Sequence, residues 1–151
     1  MGNYLLFPYS YYFMKEFSIA VKAFIVKGDK LLLIKRSSDD VHKPGVWEIP
    51  GGRLDSEAED PYDGLKRETK EEVSLDIDIL HPLQIDHFTR EDGQKITMLI
   101  FLCTTKNSFS DVQLSEEHSD YRWVNIDSAE DILVGFFHEG LKRYKKYFLK
   151  N

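Results

Sequence analysis

Cysteine is almost missing from this chain. Cys103 is alone among 151 residues, so no disulfide can form within it, as expected of a reducing, cytoplasmic compartment. Its surroundings, ITMLIFLCTT, read as a buried strand and argue against a catalytic thiol. No apolar run reaches the roughly 18 residues that a membrane span needs. A net positive charge is missing too: 26 acidic residues against 20 basic ones leave a net charge of −6, which argues against the Lys- and Arg-clustered surface that a nucleic-acid polymer requires. The first residues, MGNYLLFPYSYYFMKEF, have no basic stretch and no small-residue cleavage site, so they are not read as a secretory signal. Gly2 lacks the following Ser or Thr that a myristoylation signal prefers. Repeats, linkers and low-complexity tracts are also missing. What is present, 42% hydrophobic and 30% charged residues, is ordinary for a globular protein. The expected organisation is an aromatic-rich extension over residues 1–16 and a single domain over 17–151. For the extension three readings stay open: an alternative start at Met14, a cover for a sheet edge, or a homodimer surface.

The most informative stretch is WEIPGGRLDSEAEDPYDGLKRETKEEVSL, from Trp47 to Leu75. It reads as a strand end, a glycine turn, a polar loop and a helix. Asp60 is placed to cap that helix, with Pro61 at its first position and Asp63 where a capping-box acid belongs. Tyr62, Leu65, Thr69 and Val73 recur every three or four residues and predict one buried stripe. Glu68, Glu71 and Glu72 share a neighbouring arc, whereas Lys66, Arg67 and Lys70 fall on another. Like charges so placed repel by roughly 0.2–0.5 kcal/mol per pair. A cation held among them turns that repulsion into coordination. Taken alone, such an acidic face is more often simply solvated.

These residues resemble the signature of the Nudix hydrolase family, of the MutT-like kind. That signature is a glycine, five residues, a glutamate, seven residues, then R-E-U-x-E-E-x-G-U, where U is bulky and aliphatic. Here Gly51 and Gly52 open it, Glu59 supplies the loop glutamate, and Arg67 to Leu75 (RETKEEVSL) close it. Three departures stand out. The gap between Gly52 and Glu59 is one residue longer, Thr69 replaces an aliphatic, and Ser74 replaces the last glycine. A longer loop costs little. Ser74 is expected to relax or reshape the helix end, because a left-handed cap suits glycine. No departure removes a carboxylate.

The rest of the chain follows a β-β-β-α-β-β-β-α-α order. Strands are expected at Phe17–Val26, Lys30–Ile34, Val46–Pro50, Leu75–Leu80 with a continuation at Leu83–Thr89, Lys95–Thr104 and Tyr121–Val124. An Asp92-Gly93 hairpin turn precedes the strand at Lys95–Thr104, and residues 105–115 read as a patternless loop. Short and long helices are expected at Ser128–Leu133 and Phe136–Leu149, the second with Phe137, Leu141, Tyr144 and Phe148 along one side. This order matches an α/β fold, and the resemblance implies the Nudix α/β/α sandwich, a mixed sheet with helices on both faces.

The resemblance also implies a site. Glu68, Glu71, Glu72 and the carbonyl of Gly51 would be metal ligands. Glu71, Glu72 and Glu117 are the catalytic candidates, with Glu71 or Glu117 as general base. Glu117 precedes Trp123 by the spacing seen for a metal-approaching glutamate in several family members, and Glu116 and His118 are neighbours able to take its place. Arg67 and Glu59 would orient the ligands. Arg36 is either a phosphate contact or a strand-end charge reaching solvent. Trp47 reads as a core anchor, and Phe136 and His138 are weaker candidates for framing a base pocket. Oxygen ligands without His or Cys select Mg²⁺, with Mn²⁺ as an alternative.

The expected activity is metal-assisted hydrolysis of a phosphoanhydride in a small nucleotide substrate. A damaged or non-canonical nucleoside triphosphate, cut to monophosphate and pyrophosphate, is the first reading. ADP-ribose, a dinucleoside polyphosphate and NADH are the alternatives. The downstream proline of ADP-ribose enzymes and the downstream tyrosine of diadenosine-polyphosphate enzymes are both missing, which favours the triphosphate. A nucleotide-sensing module without catalysis is a further reading, although such modules tend to lose signature glutamates and this chain keeps them. A plain interaction domain would make the signature a coincidence.

Overall fold

The computed structural model describes residues 17–149. The expectations placed on the 1–16 extension lie outside the described residues. Seven strands build one mixed sheet: β1 (Phe17–Lys27), β2 (Lys30–Arg36), β3 (Trp47–Glu48), β4 (Gly51–Arg53), β5 (Ile77–Thr89), β6 (Lys95–Thr105) and β7 (His118–Asn125). The path runs β3-β2-β1-β6-β5, with β4 paired to β1 and β7 paired to β2. Only the β1–β6 pairing is parallel, from Phe17 opposite Lys95 to Ile25 opposite Cys103.

Alternation along β1 and β2 explains the layering. Ala20, Phe24, Leu31 and Leu33 point to one face, where they pack with Phe137 and Leu141. Val21, Ala23, Ile25, Leu32 and Ile34 point to the other, where they meet Leu65 and Val73. Phe137 ends the turn that leads into α2 (His138–Tyr147), Leu141 lies on α2, and Leu65 and Val73 lie on α1 (Pro61–Val73), so helices cover both faces of the sheet as expected. Cys103 is fully buried in the α1-side core, and burial pushes its thiol up to about 12. Among the described residues no helix is long and apolar enough to cross a membrane.

Several elements differ from expectation. The segment expected as a strand and its continuation is one strand, β5, interrupted by register shifts around Leu80 and Leu83. Pro82 is tolerated there because β5 is the last strand on the path, where a missing N–H costs no ladder bond. The expected helix at Ser128–Leu133 is a 3-10 turn, Ile126–Asp131, capped by the Asn125 side chain. The patternless loop contains another such turn, Phe109–Asp111. Helix α2 is shorter than expected because Gly135–Phe137 winds as a 3-10 turn before it.

Helix α1 begins as its residues dictate. Asp60 Oδ1 accepts from the amides of Tyr62 at 2.8 Å and Asp63 at 3.3 Å. Its buried stripe is Leu65, Thr69 and Val73, joined by Gly64 and Glu72. Tyr62 is a correction: it is half-exposed and lies against Phe101 at the margin. Ser74 is another. It does not relax the helix end but adopts the left-handed cap itself, with φ 61°.

Candidate active site

Strand β4, between β3 and α1, opens on two glycines that shape its approach to the helix. Gly51 has φ +134°, and a Cβ there would fall 2.1 Å from the Val21 carbonyl oxygen. At Gly52 a Cβ would fall 2.5 Å from Glu68 Oε2, so bare backbone makes room for that carboxylate. The strand is also held from the helix: the Gly51 amide donates to Glu72 Oε2 at 2.9 Å. Glu72 is 6% exposed, and burial pushes its carboxyl up to about 7 against the opposing pull of Lys22 and the Gly51 amide.

Arg67 gathers the other acids. Its Nε donates to Glu59 Oε1 at 2.7 Å, and its Nη1 to Glu68 Oε1 at 3.0 Å and Glu71 Oε2 at 3.2 Å. The hydrogen bond from Arg67 holds the Glu59 carboxyl below its ordinary range. Glu68 is raised instead, because its partial burial outweighs Arg67. Arg67 is thus ion-paired with Glu59 on one side and with Glu68 and Glu71 on the other.

A separate buried network lies beside Glu72. Lys22, in an otherwise apolar strand, donates to the carbonyls of Ile49 at 3.2 Å and Gly51 at 3.0 Å. It also pairs with Glu48 at 3.5 Å. Glu48, 3% exposed, meets Arg36 Nε at 3.1 Å and His118 Nε2 at 3.4 Å. Burial opposes its ionisation, yet Lys22, the His118 hydrogen bond and Arg36 together hold it down at about 2. Arg36 is further tied to Asp40 at 2.6 Å, so both of its readings must accommodate two carboxylate partners.

The last element arrives from far along the chain. The amides of Gln113 and Ser115 donate to the carbonyls of Val73 and Glu72 at 3.1 and 3.0 Å, which fastens the segment before β7 to the end of α1. The Ser37 amide binds the Glu117 carbonyl at 2.9 Å. One carboxylate oxygen each from Glu72 and Glu117 and one ring nitrogen of His118 then lie within 4.8 Å of one another. These three could share a metal ion, with Glu68 nearby against Gly52.

The structure brings Glu72 and Glu117 together and places His118, named from the sequence as able to take the place of Glu117, beside both of them. Glu71 is more exposed and faces Arg67. The Gly51 carbonyl, expected at the metal, accepts from Lys22. Trp47 is partly buried against the α2-side core, with the Arg122 guanidinium 4.8 Å above its ring. Phe136 packs edge-on against Phe88 at 5.3 Å. His138 turns away, its Nε2 2.7 Å from the Leu133 carbonyl oxygen. Lys22 and Glu48 were missed by the sequence reading. The available signal was charge inside apolar runs, FSIAVKAFIV and VWEIPGG.

A family model, the NUDIX domain, matches residues 16–147. The chain belongs to the Nudix family. It is 30% identical over 102 residues to the asymmetrical bis(5'-nucleosyl)-tetraphosphatase of Rattus norvegicus, covering 64% of this chain and 65% of that one. It is 32% identical over 111 residues to the nucleoside triphosphatase NudI of Enterobacter sp. (strain 638), covering 67% and 77%. The chain thus spans just under two thirds of the rat protein's length. In structure it is similar to the MutT protein from Methanosarcina mazei Go1, at TM-score 0.75 and 26% identity over 89% of this chain and 96% of that one. The fold is shared with a C. elegans Ap4A hydrolase, at TM-score 0.71 and 24% identity over 86% and 96%.

Proposed function

We propose that this chain is a divalent-metal-dependent pyrophosphohydrolase that opens the phosphoanhydride of a nucleoside diphosphate derivative. A nucleoside triphosphate, yielding monophosphate and pyrophosphate, is the preferred substrate. The observation that carries this reading is the meeting of Glu72, Glu117 and His118 within 4.8 Å, beside the Glu68–Gly52 contact. Nudix enzymes generally use a divalent metal, and these residues fit one: the donors converge, and Glu72 and His118 are buried beyond the reach of ordinary solvation. Glu72, Glu117 and Glu68 would hold the ion. An ion bound there, Mg²⁺ or Mn²⁺, would supply neutralising charge to a diphosphate and would acidify or orient a water.

The chain's own groups do the rest. Glu117 is exposed at the end of its segment and accepts the proton of the attacking water as general base. Glu71, engaged by Arg67, is the less suited of the two candidates. Arg67 keeps Glu68 and Glu71 from rotating away. Arg36, anchored by Asp40 and Glu48, steadies a phosphate oxygen with its remaining donors.

A second reading, cleavage of a dinucleoside polyphosphate, is supported by the likeness to the rat tetraphosphatase. The triphosphate reading has parallel support in the likeness to NudI. The deciding experiment is a panel of canonical triphosphates, oxidised dGTP, diadenosine tetraphosphate, ADP-ribose and NADH with Mg²⁺ or Mn²⁺. The expected outcome is monophosphate and pyrophosphate from a triphosphate, with chelator abolishing turnover. Selective cleavage of diadenosine tetraphosphate would install the second reading, and no hydrolysis of any member would refute both.

A further inference from the structure

An all-oxygen site would give His118 no chemical task, yet its surroundings are built for one. The His118 side chain is 1% exposed. Its Nε2 faces Glu48 Oε1 at 3.4 Å, and Glu48 is already ion-paired with Lys22 and Arg36. A carboxylate so paired is an acceptor, so a neutral imidazole at 3.4 Å would hold its proton on Nε2. That tautomer leaves a lone pair on Nδ1, and Nδ1 is buried without a hydrogen-bond partner. A buried acceptor with nothing to accept from is costly. The ring stands within 4.8 Å of the Glu72 and Glu117 carboxylate oxygens. A carboxylate behind one ring nitrogen and ligand carboxylates beside the ring form the usual surroundings of a metal-binding histidine.

We infer that His118 supplies a nitrogen ligand to the divalent ion held by Glu72 and Glu117, and that this mixed donor set takes Mn²⁺ in preference to Mg²⁺. The inference rests on the proposed metal-dependent reading of the site and deepens it. The selectivity follows from ligand type: carboxylate and water suit Mg²⁺ and Mn²⁺ alike, and the added imidazole is a ligand that Mn²⁺, as a first-row transition ion, accepts more readily than Mg²⁺. Glu48 is then a positioning residue, fixing the tautomer and the ring plane from behind.

The test uses the untagged full chain loaded with Mn²⁺ and pulsed electron paramagnetic resonance, which detects ¹⁴N directly bound to the ion. Imidazole nitrogen modulation is expected in the wild type. It should be replaced by a ¹⁵N pattern when histidine is isotopically labelled, and should vanish in His118→Gln. Calorimetry should show Mn²⁺ affinity falling roughly tenfold in that variant, with Mg²⁺ affinity changing much less. Mn²⁺ uptake with intact hydrolysis but no nitrogen modulation in the wild type would overturn the histidine ligand and leave the proposed hydrolase standing. Absence of any Mn²⁺ or Mg²⁺ uptake would overturn both. Absence of modulation in the wild type overturns the ligand without any variant, and where His118→Gln fails to fold, His118→Asn identifies the ring by the same loss of signal.

Discussion

Glu72 shows how one side chain is placed under tension by its position. It belongs to an acidic arc legible in the sequence, but α1 turns it inward, where its carboxyl is raised to about 7 from an ordinary 4.5. Between those two values the folded chain binds a proton that the unfolded chain does not. Stability contributed by this group is therefore present below pH 4.5 and is lost as pH rises through 7. The loss is on the order of 3 kcal/mol. In chelator, thermal melts of the wild type should decline across this window. Glu72→Gln should show a flatter profile and match or exceed the wild type above pH 7. The same variant should lose at least about a hundredfold in turnover with metal present. Near-wild-type turnover would remove Glu72 from the site.

Helix α1 carries most of the chemistry, and both of its ends are specialised. Asp60 and Pro61 start it in the manner their residue types prefer. At its other end Ser74 holds φ 61°, a conformation that costs a non-glycine residue roughly 1 kcal/mol. Part of that cost is offset by the Ser74 Oγ bond to the Gln113 carbonyl at 3.3 Å. Ser74→Gly should therefore raise stability by roughly 0.5–1 kcal/mol in denaturant titrations. Because the segment from Gln113 to Ser115 is fastened to the α1 carbonyls, the α1 end also governs where Glu117 arrives. A Ser74→Gly protein that is more stable but turns over more slowly would show that coupling.

The two-faced sheet makes one rigid frame for acids drawn from distant parts of the chain. Glu72 and Glu117 approach within 4.8 Å, and two carboxylates this close repel strongly unless a cation intervenes. Divalent metal should accordingly stabilise the whole fold by RT ln(1 + [L]/Kd), since the unfolded chain offers no assembled site. At a hundredfold excess over Kd this is about 2.7 kcal/mol, readily seen as a thermal shift that chelator reverses. Mn²⁺ should give the larger shift at equal concentration. No shift with either ion, with nucleotide absent or present, would refute metal binding.

The sequence by itself determined the family signature, the start of α1, the acidic arc, the alternating strands and the two helix layers. All of these rest on local rules: periods of 2 and 3.6, capping chemistry and glycine punctuation. The site was legible to the same extent. Glu68, Glu72, Arg67 and Glu59 could be named because they share one helix and the loop before it. Glu117 and His118 could be named from their spacing before Trp123, but tertiary structure alone decided that they meet Glu72 and that Lys22 and Glu48 lie beside them. Lys22, Glu48 and His118 come from β1, β3 and the start of β7, and no spacing rule links residues so far apart. Their meeting depends on strand register, with Ile34 opposite Glu48 and Arg36 opposite His118. A one-residue slip would send those side chains to the other face, so their role exists only once the sheet has closed around them.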